Sequence, residues 1–117
     1  MIISKGYRLI NWPAIIKHSG DDELIYINDQ EQWDAEIELH SVEYIVTDCL
    51  IDSAGHVFEL TNRKDGIVKP KDNADVLELK VILGLVKAHA AQSGSCCVAK
   101  LYAPTIGEAF KIVESLD

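Results

Sequence analysis

Apolar residues along this chain fall into two kinds of run, and their spacing separates strands from helices. The segments AIIKH (14–18) and LIYIN (24–28) are β-prone, and SGDDE between them supplies turn formers, so the pair predicts a hairpin. Asn28 then offers a helix N-cap with Glu31 completing a capping box, and DQEQWDAE predicts a helix burying Trp33 and Ile37 on one side. Strand character returns in YIVTDCLID (44–52), and SAG separates it from HVFELT (56–61), the second arm of another hairpin. The Gly, Pro and Asn content of NRKDGIVKPKDN predicts a loop. From Asp75 to about Gln92 the spacing is helical, CCVAKLYA (96–103) predicts a strand, and PTIGEAFKIVESL predicts a last helix, opened by Thr105 with Glu108 in the capping-box position.

The predicted order is ββαββαβα. Hairpins alternating with helices imply an α+β fold: an antiparallel or mixed sheet of about five strands with helices packed mainly on one face. Strands joined by tight turns run antiparallel, whereas the strand at 96–103 follows a long helix and is free to lie parallel to a neighbour. A length of 117 residues fits a single globular domain spanning 1–117.

The long helix carries more apolar surface than a sheet alone requires. Val76, Leu79, Leu83, Val86 and Ala90 form one stripe, and Leu77, Val81, Leu85 and Ala88 form a second. One stripe covers the sheet. The other packs under the helix bearing Ile106, Phe110 and Ile112, as in a monomer, or else forms a homodimer surface. Packing within the chain predicts that Val81→Ala costs about 1 to 3 kcal/mol through lost burial and a residual cavity.

Composition narrows the function classes. Eleven basic and nineteen acidic residues give a net charge of −8, and KPK at 69–71 is the main local concentration of positive charge. A polyanion is repelled by such a surface, so neither nucleic-acid nor membrane binding is expected. The longest apolar run is broken by Asp75, Glu78, Lys80 and Lys87, so no membrane span is expected. The start MIISKGYRL lacks the features of an export signal, which predicts a cytoplasmic location with Cys49, Cys96 and Cys97 as reduced thiols.

Candidate chemistry is sparse. In EIELHSVEY, a strand would align Glu36, Glu38 and His40, whereas a helix pairs only Glu36 with His40 and leaves a solvated helix end. GDDE (20–23) lacks the alternating acidic spacing of a calcium loop and fits turn chemistry. Cys96 and Cys97 lack a CxxC partner, and sequence does not show whether His18, His40, His56 or His89 meets a cysteine. No catalytic residue, metal ligand or cofactor is predicted, since nucleophile-elbow, P-loop and dinucleotide motifs are all missing.

The segment INWPAIIKHSGDDELIYINDQEQWDAE, residues 10–36, with its Trp-Pro-Ala start and Gly-Asp-Asp-Glu-Leu turn, resembles a family of short uncharacterised gammaproteobacterial proteins. That resemblance implies a domain of unknown function and carries over no catalytic residue. Together these readings favour a small interaction or accessory module without catalytic activity, serving a protein partner. Its candidate surface comprises Asp21, Asp22 and Glu23 on the hairpin tip and Leu77, Val81 and Leu85 on the long helix. The competing reading is a motif-less enzyme or small-molecule-binding protein using a cysteine/histidine or acidic pocket.

Overall fold

The computed structural model describes residues 9–95 and 98–116. Its centre is a five-stranded antiparallel sheet in the order β2-β1-β3-β4-β7, built from β1 (Ala14–Lys17), β2 (Leu24–Ile27), β3 (Cys49–Asp52), β4 (His56–Glu59) and β7 (Lys71–Val76). A separate two-stranded hairpin joins β5 (Arg63–Lys64) to β6 (Ile67–Val68). The helices are α1 (Gln30–Ala35), α2 (Ile37–Ser41), α3 (Leu79–Gln92) and α4 (Ile106–Leu116). The fold is α+β.

Side-chain alternation along the central strands divides the interior into two cores. Ile15, Tyr26, Ile51 and Val57 face α3 and α4, joining Ile82, Val86, Phe110 and Val113. Ala14, Ile16, Leu50 and Phe58 face the other way, onto Trp33, Leu39, Tyr44, Leu60 and Val68. The long helices thus share one face, while α1, α2 and the β5–β6 hairpin cover the opposite one. This second cover accounts for the buried Trp33 and Val68 far from α3 and α4.

Local chemistry explains where several elements begin. Asp29, rather than Asn28, is the N-cap of α1: its carboxylate accepts from Gln32 N at 2.8 Å, and the Gln32 amide oxygen accepts from Asn28 N at 2.7 Å. Thr105 caps α4 as its spacing predicts, accepting from Glu108 N at 3.1 Å. Gly55 adopts φ +84 in the β3–β4 turn, where an added Cβ would collide with the Leu77 carbonyl. The same close approach lets Leu77 N donate to Gly55 O at 2.8 Å, tying the start of α3 to that turn.

Several expectations are corrected. The described part of the segment 96–103 contains a 3-10 turn at Val98–Lys100 and no strand, while Cys96 and Cys97 lie outside the described residues. The fifth strand is β7 instead, a polar segment that belongs to the sheet because β4 pairs with it. The predicted loop over 62–73 holds the β5–β6 hairpin, turned by Asp65 and Gly66 at φ 55 and 79. Strand β3 starts only at Cys49, which leaves Ile45 and Val46 exposed in a turn, and Ile37 is 79% exposed rather than buried beside Trp33.

Helix α3 starts at Leu79 instead of Asp75 and buries Ile82, Val86, His89 and Ala90, so its inner face lies between the two predicted stripes. Ile82, which belongs to neither, is fully buried. Leu77 and Leu85 do pack against the cluster containing Phe110, but Val81 between them is 47% exposed. The large penalty expected of Val81→Ala therefore does not apply.

Two stability outcomes follow from this packing. Chemical denaturation should place Val81→Ala within about 0.5 kcal/mol of wild type, as for an ordinary surface change; a loss above that would mean the side chain is covered in solution. Ala74 holds φ +71 in β7, so Ala74→Gly should raise stability by up to about 1 kcal/mol by removing the Cβ penalty. Destabilisation by that glycine would show instead that unfolded-state entropy outweighs the strain.

Candidate binding cleft

The residues singled out in the sequence do not assemble into one site. Asp21, Asp22 and Glu23 are exposed on the β1–β2 turn, where Asp21 Oδ1 accepts from Glu23 N at 3.0 Å, the expected turn chemistry. This turn lies at the far end of α3 from Leu77 and Val81: His89 near the helix C-terminus accepts from Leu24 N at 3.0 Å, whereas Leu77 meets the opposite sheet end at Gly55. Glu36 sits in the break between α1 and α2, bonded by Gln32 Nε2 at 3.0 Å, and Glu38 is exposed.

His40 is buried, not part of a solvated helix end. Its Nδ1 accepts from Val68 N at 3.1 Å, and its Nε2 lies 2.8 Å from Trp33 O, so Nε2 carries the proton and donates. Neither nitrogen is left for a metal. Arg63 donates to the carbonyls of His40 and Val42, and the Trp33 indole meets the imidazole edge-on at 4.8 Å. One side chain thereby joins α1, α2 and the β5–β6 hairpin.

Two aspartates at the ends of β3 make comparable clasps. Asp52 is fully buried and accepts from Asn11 N, Asn11 Nδ2, Ala54 N and His56 N at 2.9 to 3.0 Å, with His56 Nδ1 at 3.3 Å. Asp48 accepts from Ser19 N at 2.7 Å and Ile45 N at 2.8 Å, with His18 Nδ1 at 3.7 Å. Burial alone would raise the Asp48 carboxyl, but these two amides and His18 hold it below the usual carboxylate range. His18 stacks on Tyr44, whose hydroxyl is pushed up to about 12 mainly by burial, against an opposing pull from Arg63.

Cys49 is set apart from the His18–Asp48 pair. Cys49 faces the α3–α4 side with Lys17 as its cross-strand partner, whereas Asp48 and the adjoining His18 face the other side. Burial raises the Cys49 thiol, with Lys17 pulling it partly back down. Among the described residues no group of three or more His, Cys, Asp and Glu side chains could hold a metal ion, and no helix is long and apolar enough to cross a membrane.

A concave site exists on the α1 side of the sheet. A cleft of about 340 Å³ is bounded by Leu9 and Ile10, by Gln30, Trp33 and Asp34 of α1, and by Asn62 and the continuous stretch Ile67–Lys71. His40 fixes both walls, since its two bonds run to Trp33 O and Val68 N. Asn62 and Lys69 close the neck of the hairpin through Lys69 N to Asn62 O at 2.7 Å and Asn62 Nδ2 to Lys69 O at 3.2 Å. None of the candidate surface residues lines this cleft. The traces in the sequence were the Asp65-Gly66 turn and KPK, each visible but neither pointing to α1.

The family described as a protein structure with unknown function, DUF4144, matches residues 12–113. The chain belongs to that family. The match extends far beyond the 10–36 segment and covers α1, the β5–β6 hairpin, α3 and α4 as far as residue 113. No curated protein matches the chain. Among solved structures it is similar to the NMR structure of the protein from Shewanella Amazonensis, with 25% identity, a TM-score of 0.66, and 100% of this chain and 99% of that one covered. The likeness supports the α+β architecture end to end, and no function is assigned by either comparison.

Asp48 gives the site region a defined pH response. A carboxyl held low in the folded state contributes stability above its unfolded pKa, about 3.9, and that contribution disappears as the pH falls through the folded value. At pH 7, Asp48→Asn should be less stable by about 1 to 3 kcal/mol, and the gap should close as the pH drops below about 4. Denaturation curves across that range measure it; a gap independent of pH would remove the carboxylate's role. For His40, the nitrogen chemical shifts of the ring should report the Nε2–H tautomer, and the opposite tautomer would contradict the Val68 bond.

Proposed function

We propose that the protein is a non-catalytic binding module of the cytoplasm whose recognition surface is the α1/β6 cleft. The supporting observation is that two remote segments, α1 and Ile67–Lys71, are fastened around a hollow of mixed polar and apolar lining by a fully engaged buried histidine. Preformed concavities with apolar walls and convergent polar groups are where small ligands or the side chains of a partner are commonly held. Among the described residues the lining holds no cysteine or histidine, which favours binding over the enzyme reading.

The acidic turn at Asp21, Asp22 and Glu23 and the exposed Val81 give less support, because they lie at opposite ends of α3 and form no common concavity. A fragment screen followed by amide and indole chemical shifts tests the cleft. Binders should move the Trp33 indole and the Ile67 and Val68 signals, and Ile67→Trp should abolish those shifts by filling the hollow while leaving stability within about 0.5 kcal/mol. Shifts clustered at Asp21–Glu23 or along α3, with none at Trp33, would transfer the function to those surfaces.

A further inference from the structure

We infer that His40 is a proton-operated latch: strand β6 stays docked on α2 only while this imidazole is neutral, and proton uptake at Nδ1 releases the Ile67–Lys71 wall and opens the cleft. That this wall serves recognition rests on the cleft reading; the latch itself is read from His40 and its partners. The ring is buried and both nitrogens are in use, Nε2–H donating to Trp33 O at 2.8 Å and Nδ1 accepting from Val68 N at 3.1 Å. An imidazolium is a donor at both nitrogens. A proton added at Nδ1 therefore points at the Val68 N–H, and two donors cannot share that distance. Nε2 keeps its bond, since Trp33 O accepts from either form of the ring. The break falls on one side, between α2 and β6.

No counter-charge offsets that loss. Among the described residues no carboxylate pairs with the His40 ring, whereas His18 lies 3.7 Å from Asp48 and His56 lies 3.3 Å from Asp52. The hairpin brings cations, Arg63, Lys64 and Lys69, and Arg63 already donates to His40 O. Asp34 of α1 is exposed and accepts from Gln30, while on α2 itself Glu36 accepts from Gln32 and Glu38 is exposed. Tyr44 donates its hydroxyl to Leu39 O, and the sheet beneath contributes the apolar Leu50 and Phe58. A buried charge without a partner is costly, so the protonated ring is accommodated by undocking β6. Buried Val68 and the Arg63 bonds to the carbonyls of His40 and Val42 still hold the hairpin, which makes release an opening equilibrium. In the open form the ring meets water and takes its proton near pH 6.5, as an ordinary imidazole does. The open form thus binds one proton more, and by linkage the docked form is favoured above about pH 6.5 and loses ground as the pH falls below it.

Amide hydrogen exchange of the full chain, without any ligand, between about pH 7.5 and about pH 5 tests this. Corrected for the intrinsic pH dependence of exchange, protection of the Val68 amide should fall about tenfold per pH unit below about pH 6.5, the slope of a single linked proton. The Leu77 amide, bonded to Gly55 O at 2.8 Å, should keep its protection over the same range. His40→Gln carries no titratable group and should leave Val68 protection level with pH. Constant protection of Val68 in wild type would overturn the latch, and so would a pH-dependent loss that survives His40→Gln. Loss at Val68 and Leu77 together would also overturn it, because the whole domain would then be opening. The ring nitrogen shifts of wild type decide the case if the variant does not fold: an imidazolium at His40 while Val68 remains protected would sink the latch. None of these outcomes bears on the cleft reading, which the fragment screen decides separately.

Discussion

Strand β3 is covered on both faces, and the two-residue alternation of its side chains organises everything around it. Cys49 and Ile51 go to the α3–α4 core, while Leu50 goes to the core beneath α1 and the β5–β6 hairpin. Shifting its register by one residue would exchange these sets and send the buried carboxylate of Asp52 into an apolar core, at a cost no surrounding packing could offset. The polar ends of the strand reinforce the register. Asp48 gathers the β1–β2 turn and the turn before β3, and Asp52 gathers Asn11 and the β3–β4 turn.

The same economy of polar groups recurs beyond the sheet. His40 and His89 are buried, and each accepts a backbone N–H through Nδ1, from Val68 and Leu24 respectively. Among the described residues both amides belong to strands with a neighbouring strand on one side alone, and each imidazole takes the place of a ladder partner. An unsatisfied buried N–H costs about 1 to 3 kcal/mol, which gives these rings a structural role ahead of a chemical one. At the β7 end of the sheet, as it stands among the described residues, the strand is irregular against β4, mostly exposed and rich in Asp and Asn, features that discourage edge-to-edge pairing.

The cleft is a by-product of covering the second sheet face with small pieces. One long helix would seal it, as α3 and α4 seal the other. Two short helices and a two-stranded hairpin cover it instead, tied together by the His40 bonds to Trp33 O and Val68 N, with the Asn62–Lys69 pair closing the hairpin neck. Walls from unrelated segments joined by a buried histidine are what a binding surface needs, and they bring Trp33, Asp34, Lys69 and Lys71 to one hollow.

By itself the sequence determined the α+β class, the two leading hairpins, the last two helices and membership of a domain family through residues 10–36, because each of these is encoded within a few adjacent residues. Turn formers between β-prone runs, and Thr105 with Glu108, act over one turn of backbone and are legible without any partner. The Asp65-Gly66 turn was equally local and was obscured by Pro70 and the charges around it. What only the tertiary structure decided depends on distant partners: that KDNADV is a strand, since its propensity is poor and β4 supplies its pairing; that Ile82 rather than Val81 faces inward; and that His40 is a buried acceptor instead of a surface ligand. The cleft belongs to this second group. Its walls come from residues 9–10, 30–34 and 62–71, and periodicity, which reports only which side of its own element a residue occupies, carries no information about which remote elements will face each other across a gap.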